Sequence, residues 1–143
     1  MTAPLISRHT QIRVRYADTD QMQIVYNGKY LEYFEVGRTE LLRALGLPYA
    51  ELEKAGARLP LVDAHCEYLA PARYDDVLDI CSGVEEYHSP RLRILYEIRR
   101  AGAEQLLTRG YTTHAWQSIE TGRIIRPPRL FIDAMESGLP GPE

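Results

Sequence analysis

The stretch YLEYFEVGRTELLRAL, Tyr30 to Leu45, decides the fold. Tyr30, Phe34, Gly37, Leu41 and Leu45 recur at steps of four, three, four and four, which marks one face of a helix. Glu32, Glu35, Arg38 and Arg43 occupy the outer face. Gly46 and Pro48 supply the stop. The pattern predicts a helix beginning around Tyr26 to Gly28 and running about to Leu45, roughly 18 residues and near 27 Å at 1.5 Å per residue. Such a helix is long for a chain of 143 residues. A short second helix over Tyr49 to Lys54 follows, closed by Gly56.

Outward from this helix the periodicity changes to two. On the N-terminal side, Gln11, Arg13 and Arg15 alternate with Ile12, Val14 and Tyr16, predicting a first strand over Gln11 to Tyr16. On the C-terminal side, Arg58 to Trp116 reads as strands: LPLVDAHCEYLAP, VLDICSGVEEY, RLRILYEIRR and EQLLTRGYTTHAW. The breaks are Pro71 to Asp76, His88 to Pro90 and Ala101-Gly102-Ala103, the last two short enough for hairpins. In the third run Leu92, Ile94, Tyr96 and Ile98 form one face against Arg91, Arg93, Glu97 and Arg99, with Leu95 the exception. A short strand over Arg123 to Ile125 and a helix from Pro127 or Pro128 complete the chain. One long striped helix with about four meandering strands implies an α+β layer arrangement, a curved antiparallel sheet around a central helix. This is the hotdog architecture. The chain reads as one domain over 1–143, with a core of about 10–129 and a frayed tail from Gly138 to Glu143.

Composition narrows the function. The 17 basic and 20 acidic residues leave a formal charge of −3, which argues against a nucleic-acid binder or a membrane-surface protein, so any anion site is local. The opening MTAPLISRHTQ lacks the apolar run of a signal peptide, and no stretch approaches the roughly 18 apolar residues of a membrane span. The expected location is cytoplasmic. Cys66 and Cys81 sit inside strand-like apolar runs and read as buried free thiols rather than as a disulfide or a nucleophile. His65, Glu67 and His114 read as outer-face strand residues.

Chemistry concentrates just before the long helix, in RYADTDQMQIVYNGKYLEYF, Arg15 to Phe34. By pattern alone, Asp18 and Asp20 at a strand-to-helix junction form a capping turn. A calcium loop from Asp18 fails, because it needs an acid or amide at Met22 and glycine at Gln23. No metal site is expected.

The string Y-A-D-T-D-x-x-x-I-V-Y-N-x-x-Y-L, with FEVGRTELLRALGL and the later EYLAPARYDDVLDI, resembles the 4-hydroxybenzoyl-CoA thioesterase family of hotdog acyl-CoA hydrolases, over about Thr10 to Arg129. The resemblance implies an acyl-CoA thioesterase with no cofactor, coenzyme A being part of the substrate. It gives the catalytic carboxylate to Asp20, as nucleophile or as base for water. It gives the oxyanion to the backbone amide of Asn27, at the helix N-terminus. Tyr26 and Tyr30 are the candidate substrate contacts beside them. His88, Ser89 and Arg91 lie where the family contacts the coenzyme A nucleotide. Arg123, Arg126 and Arg129 make a second basic cluster, of which Arg126 is the candidate phosphate contact. Asp18 reads as a structural, Asx-type brace. The sequence departs from the pattern at Gln23, where many relatives have glycine, and at Asn27, where many have histidine. The resemblance also implies a homodimer or homotetramer, with sheets paired edge to edge. A non-catalytic acyl-thioester-binding or scaffolding protein is the alternative, and a hotdog dehydratase fits less well because no histidine lies between Asp20 and Tyr33.

Overall fold

A computed structural model describes residues 4–139. In chain order they form β1 (Ile6–Arg13), a 3-10 turn (Tyr16–Asp18), α1 (Lys29–Ala44), α2 (Tyr49–Lys54), β2 (Ala57–Arg58), β3 (Leu61–Tyr68), β4 (Val77–Val84), β5 (Arg91–Arg100), β6 (Leu106–Ala115), β7 (Gln117–Ser118) and α3 (Arg129–Gly138). The main sheet has five strands in the order β1-β4-β5-β6-β3, and every neighbouring pair is antiparallel. β2 and β7 make a separate two-stranded ladder.

The apolar stripe of α1 packs across one face of this sheet, giving the α+β hotdog layout. Phe34 stacks on Tyr96 of β5 with ring centroids 4.2 Å apart. Gly37 brings the helix close to β4: a Cβ there would lie 2.8 Å from Ile80 Cγ2. The Ser82 hydroxyl donates to the Gly37 carbonyl at 2.9 Å across the same contact. Leu41 and Leu42 are buried further along, while Leu45 is half-buried. Gly46 leaves the helix with φ +78°, a left-handed position that glycine takes without strain. α2 occupies the expected Tyr49–Lys54, and the strand runs and both hairpins fall where the sequence puts them.

Three boundaries differ. β1 is displaced toward the N-terminus, because its partner β4 begins at Val77, which pairs with Arg13. Val14 N–H still donates to the Asp76 carbonyl at 2.9 Å, but beyond it there is no partner strand, and Tyr16 turns out to solvent at 79% exposure. Arg123 to Ile125 is not a strand; Ile124 makes one isolated bridge to Gln117. α1 starts at Lys29, one residue past the expected window. α3 follows Pro128 and seats Phe131 on Trp116, with centroids 4.9 Å apart. Ile6, Phe131 and Met135 are buried, so the core reaches beyond 10–129. Of the expected tail, Gly138 closes α3, while residues 140–143 lie outside the described residues.

The edge strand β3 has little cover. Leu61 and Val62 are exposed on it, as are Tyr68 and the following Leu69. Soluble proteins rarely leave such an edge open.

Candidate active site

The segment between the 3-10 turn and α1 folds back on itself. Thr19 bridges Val25, Tyr26 N–H donates to the Asp18 carbonyl at 2.9 Å, and Asp20 N–H donates to the Ile24 carbonyl at 3.0 Å. Asp20 and Asn27 are thus carried by one short loop at the head of α1. Gln23 makes the reversal with φ +65°. This is the left-handed region that glycine takes most readily, and here a glutamine occupies it.

The two aspartates have separate surroundings. Asp18 is 2% exposed. Its carboxylate accepts from the Arg15 backbone N–H at 3.0 Å, from the Arg15 guanidinium at 3.0 Å and from the Tyr33 hydroxyl at 2.9 Å, with Lys29 Nζ at 3.8 Å. Burial pushes its pKa up, but these hydrogen bonds outweigh it and hold the carboxyl below its ordinary value. A carboxylate so fully engaged ties the turn to α1. Asp20 is half-buried, and its Oδ1 accepts from Met22 N–H at 2.8 Å. The Asx turn therefore lies at Asp20, not at Asp18 where the sequence pattern placed it. Among the described residues, the other Asp20 carboxylate oxygen has no hydrogen-bond partner.

At the helix start, Lys29 N–H donates to the Tyr26 carbonyl at 2.9 Å and Tyr30 N–H to that of Asn27 at 3.4 Å. Among the described residues, the N–H groups of Asn27 and Gly28 have no acceptor; Gly28 is the N-cap of α1, whose N–H a helix start leaves free, and Asn27 precedes it. Among the described residues, no side chain caps this end. A groove of about 230 Å³ opens beside it, lined by Ile24, Val25, Asn27, Tyr30, Tyr68 and Leu69. Tyr30 is 3% exposed, edge-on to Tyr33 and Tyr68, whereas Tyr26 is exposed. Tyr68 donates its hydroxyl to the Asn27 carbonyl at 3.1 Å, fixing the peptide plane next to the free amides. Sequence reading missed Tyr68, since a contact spanning 41 residues leaves no local signal.

The basic clusters lie elsewhere. His88 and Ser89 occupy the β4–β5 hairpin, where both backbone N–H groups donate to the Glu86 carboxylate, and Arg91 N–H donates to the Ser89 hydroxyl at 3.1 Å. Trp116 joins this hairpin to the second cluster: its N–H donates to the Pro90 carbonyl, and its carbonyl accepts from Ile125, next to Arg126, both at 2.9 Å. The opposite end of β5, at Arg100, donates to the Pro71 carbonyl near the Val25–Ala72 contact of the Asp20 loop. Within one chain, then, His88, Ser89, Arg91 and Arg126 share one end of the sheet and Asp20 sits at the other. Ten residues of β5 separate them, about 30 Å at roughly 3.3 Å per residue.

Other expectations resolve plainly. His65 is exposed and Glu67 half-buried, but His114 points inward at 2% exposure, its Nδ1–H donating to the Leu59 carbonyl at 3.2 Å and its Nε2 hydrogen-bonded to the Thr112 hydroxyl at 2.9 Å. The β6 end it occupies is buried on both faces, which defeats an alternation argument. Cys66 and Cys81 are free, and burial raises both thiols. Among the described residues, no cluster of three or more His, Cys, Asp or Glu side chains is placed to hold a metal, and no helix is long and apolar enough to cross a membrane.

Residues 14–135 match the family model described as the thioesterase-like superfamily. YneP of Bacillus subtilis is 35% identical over 86% of this chain and 88% of its own. The DHNA-CoA thioesterase of Staphylococcus aureus is 34% identical, with a TM-score of 0.82 over 92% of this chain and 87% of that one. A 4-hydroxybenzoyl CoA thioesterase superposes with a TM-score of 0.81 over 90% of this chain and 98% of its own, at 22% identity, which speaks to the fold alone.

Proposed function

The chain belongs to the thioesterase-like superfamily, and we propose that it is an acyl-CoA thioesterase whose reacting groups are Asp20 and the free amides at the head of α1. One observation carries this reading: a carboxylate with an uncommitted oxygen and two N–H donors without acceptors sit on one loop, whose Ile24, Val25 and Asn27 line an apolar groove. Thioester hydrolysis needs those parts. The Asn27 amide, supported by the helix dipole, receives the carbonyl oxygen as it gains negative charge. Asp20 attacks the carbonyl carbon, or takes a proton from the water that does. In the first case coenzyme A leaves as thiolate from a mixed anhydride that water then opens; in the second it leaves from a tetrahedral intermediate. Either way one water is consumed, a proton ends on the thiol, and no cofactor enters. By the base route the water oxygen goes into the acid product, whereas an anhydride opened at the Asp20 carbonyl takes it into Asp20 and passes an Asp20 oxygen to the acid.

The same reading takes the protein as a cytoplasmic homodimer joined along β3. A two-fold axis beside that edge sets the two β3 strands antiparallel, so the Leu61 end of one faces the Tyr68 end of the other. The partner's basic end then approaches Asp20, and Arg91 and Arg126 hold the nucleotide phosphates in trans.

Asp20→Asn is the direct test. The amide keeps the shape and the Met22 bond but neither attacks nor takes a proton, so kcat on a panel of acyl-CoAs, read as released thiol, should fall by about 10²–10⁴. Single-turnover reaction in ¹⁸O-water then tests for the nucleophile, since label enters Asp20 only through an anhydride that water opens at the Asp20 carbonyl. If Asp20→Asn turns over within a few-fold of the parent, Asp20 is a turn residue and not the catalytic carboxylate; if the parent releases no thiol from any of the panel, the alternative of a binding module takes precedence.

A further inference from the structure

A second groove, of about 200 Å³, runs along the β3 side of α1 and is lined by Leu31, Glu32, Glu35, Arg38, Leu61 and Thr112. Leu31, Glu35 and Arg38 stand at i, i+4 and i+7, a single helical stripe beginning one turn past Asn27. Arg38 is half-buried, and among the described residues its enclosed Nε–H has no acceptor. The acids near it in sequence are committed or solvated. Glu32 pairs with Lys29 at 3.1 Å, Glu40 pairs with Arg43, and Glu35 is exposed on the rim, where water screens it. Among the described residues, no ion pair joins Arg38 to a carboxylate.

The hydroxyl groups acting on it, those of Tyr96 and Tyr49, are neutral near pH 7. Burial works against the Arg38 charge, and the Tyr96 and Tyr49 hydroxyls beside it more than offset this, so the guanidinium stays protonated. Tyr96 shares a hydrogen bond with Thr112 at 2.6 Å, and Thr112 in turn meets His114. His114 is pushed down to about 4 by burial and by the Arg38 charge, so it is neutral near pH 7. A guanidinium partly removed from water is normally answered by a counter-charge. Here the open groove is where one can arrive.

We propose that this groove receives the far end of the acyl group and that Arg38 binds a carboxylate carried there, making the preferred substrates monothioesters of dicarboxylic acids. The assignment rests on the thioesterase reading above. Its dimensions are consistent: Asn27 and Arg38 are eleven residues apart, about 16 Å of helix. Because helical side chains lean back toward the N-terminus, the span from thioester to guanidinium is on the order of 10 Å. An acetyl group is far too short for this, and an eight-carbon diacid reaches it. A guanidinium fork also matches a carboxylate better than any neutral oxygen. The competing occupant is a carboxylate from a second copy of the chain.

The test compares kcat/KM within two matched pairs, suberyl-CoA against octanoyl-CoA and 4-carboxybenzoyl-CoA against benzoyl-CoA. The parent should favour the carboxylate-bearing member of at least one pair by about tenfold or more, because a site built for a polar group discriminates against its absence. Arg38→Met should bring that ratio to about one, and Arg38→Lys should keep part of it. Equal kcat/KM within both pairs in the parent overturns the proposal whatever the variants do. So does Arg38→Met if both members of the preferred pair lose equally, or if sedimentation shows that it dissociates a dimeric parent. No turnover of any of the four overturns the hydrolytic reading together with this one, whereas turnover without preference overturns this one alone.

Discussion

Asp18 and Asp20 are two residues apart, and their surroundings give them different work. Asp18 is enclosed and saturated with donors, which makes it a stability element with a definite pH dependence. Its folded pKa is depressed, so its contribution is complete above the ordinary carboxylate range near 4 and is lost as pH falls through the lower folded value. His114 acts in a higher window. Its pKa falls from 6.5 to about 4 on folding, so stability from keeping it neutral is full above 6.5 and drains away between there and about 4. Asp18→Asn should cost about 1.5–3 kcal/mol at pH 7, the range for hydrogen bonds to a charged group. Urea midpoints of the two should begin to converge only as pH falls below about 4, the gap closing through the lower folded value, while the loss between 6.5 and 4 remains in both. A gap that does not narrow at all as pH falls below 4 would mean that the charge of Asp18 is not what stabilises the turn. Thioesterase activity should survive in the folded fraction, unlike in Asp20→Asn.

Helix α1 was legible because its stripe is long and its stop is unambiguous: Gly46 has a left-handed φ, and Pro48 follows it. The strands after it were legible wherever one face is covered, as in β5, where Leu92, Ile94, Tyr96 and Ile98 are buried and their neighbours are not. Legibility fails where that condition fails. β1 carries Arg8, His9, Thr10 and Gln11 because it is an edge strand, and its bounds are set by β4 rather than by its own pattern. Asp20 and Asn27 were reached through a motif, whereas Tyr68 and Arg38 depend on contacts between distant segments and leave no periodic trace. Gly37 shows the same limit. In an exposed helix, Ala in place of Gly adds about 1 kcal/mol of stability. Here the new Cβ meets the fully buried Ile80 at 2.8 Å, and overpacking costs about 1–3 kcal/mol. Gly37→Ala should therefore lower the melting temperature, against its helix propensity. A higher melting temperature would show that α1 and β4 separate without cost.

At the scale of the whole molecule, the two halves of the proposed site lie at opposite ends of one sheet, with Asp20 near Arg100 and the basic cluster around Arg91. A single chain cannot bring both to one coenzyme A thioester, since about 30 Å of β5 lies between them. Edge pairing through β3 resolves this and also covers Leu61, Val62, Tyr68 and Leu69, which are exposed on one chain. The arrangement makes a prediction that a single-chain site cannot share. Asp20→Asn should be nearly inactive, and Arg91→Ala should raise KM while leaving kcat less affected, because the contact is remote from the reacting carbonyl. When the two variants are co-refolded in equal amounts, each heterodimer has one site with both residues intact and one with neither. Random association makes half the dimers mixed, so roughly a quarter of all sites should regain the parental KM. If Arg91 served its own chain, the mixed dimer would contain only the two damaged sites and no low-KM activity would return. A parent that sediments as an active monomer at micromolar concentration would remove the premise altogether, and with it the role of β3 as the joining edge.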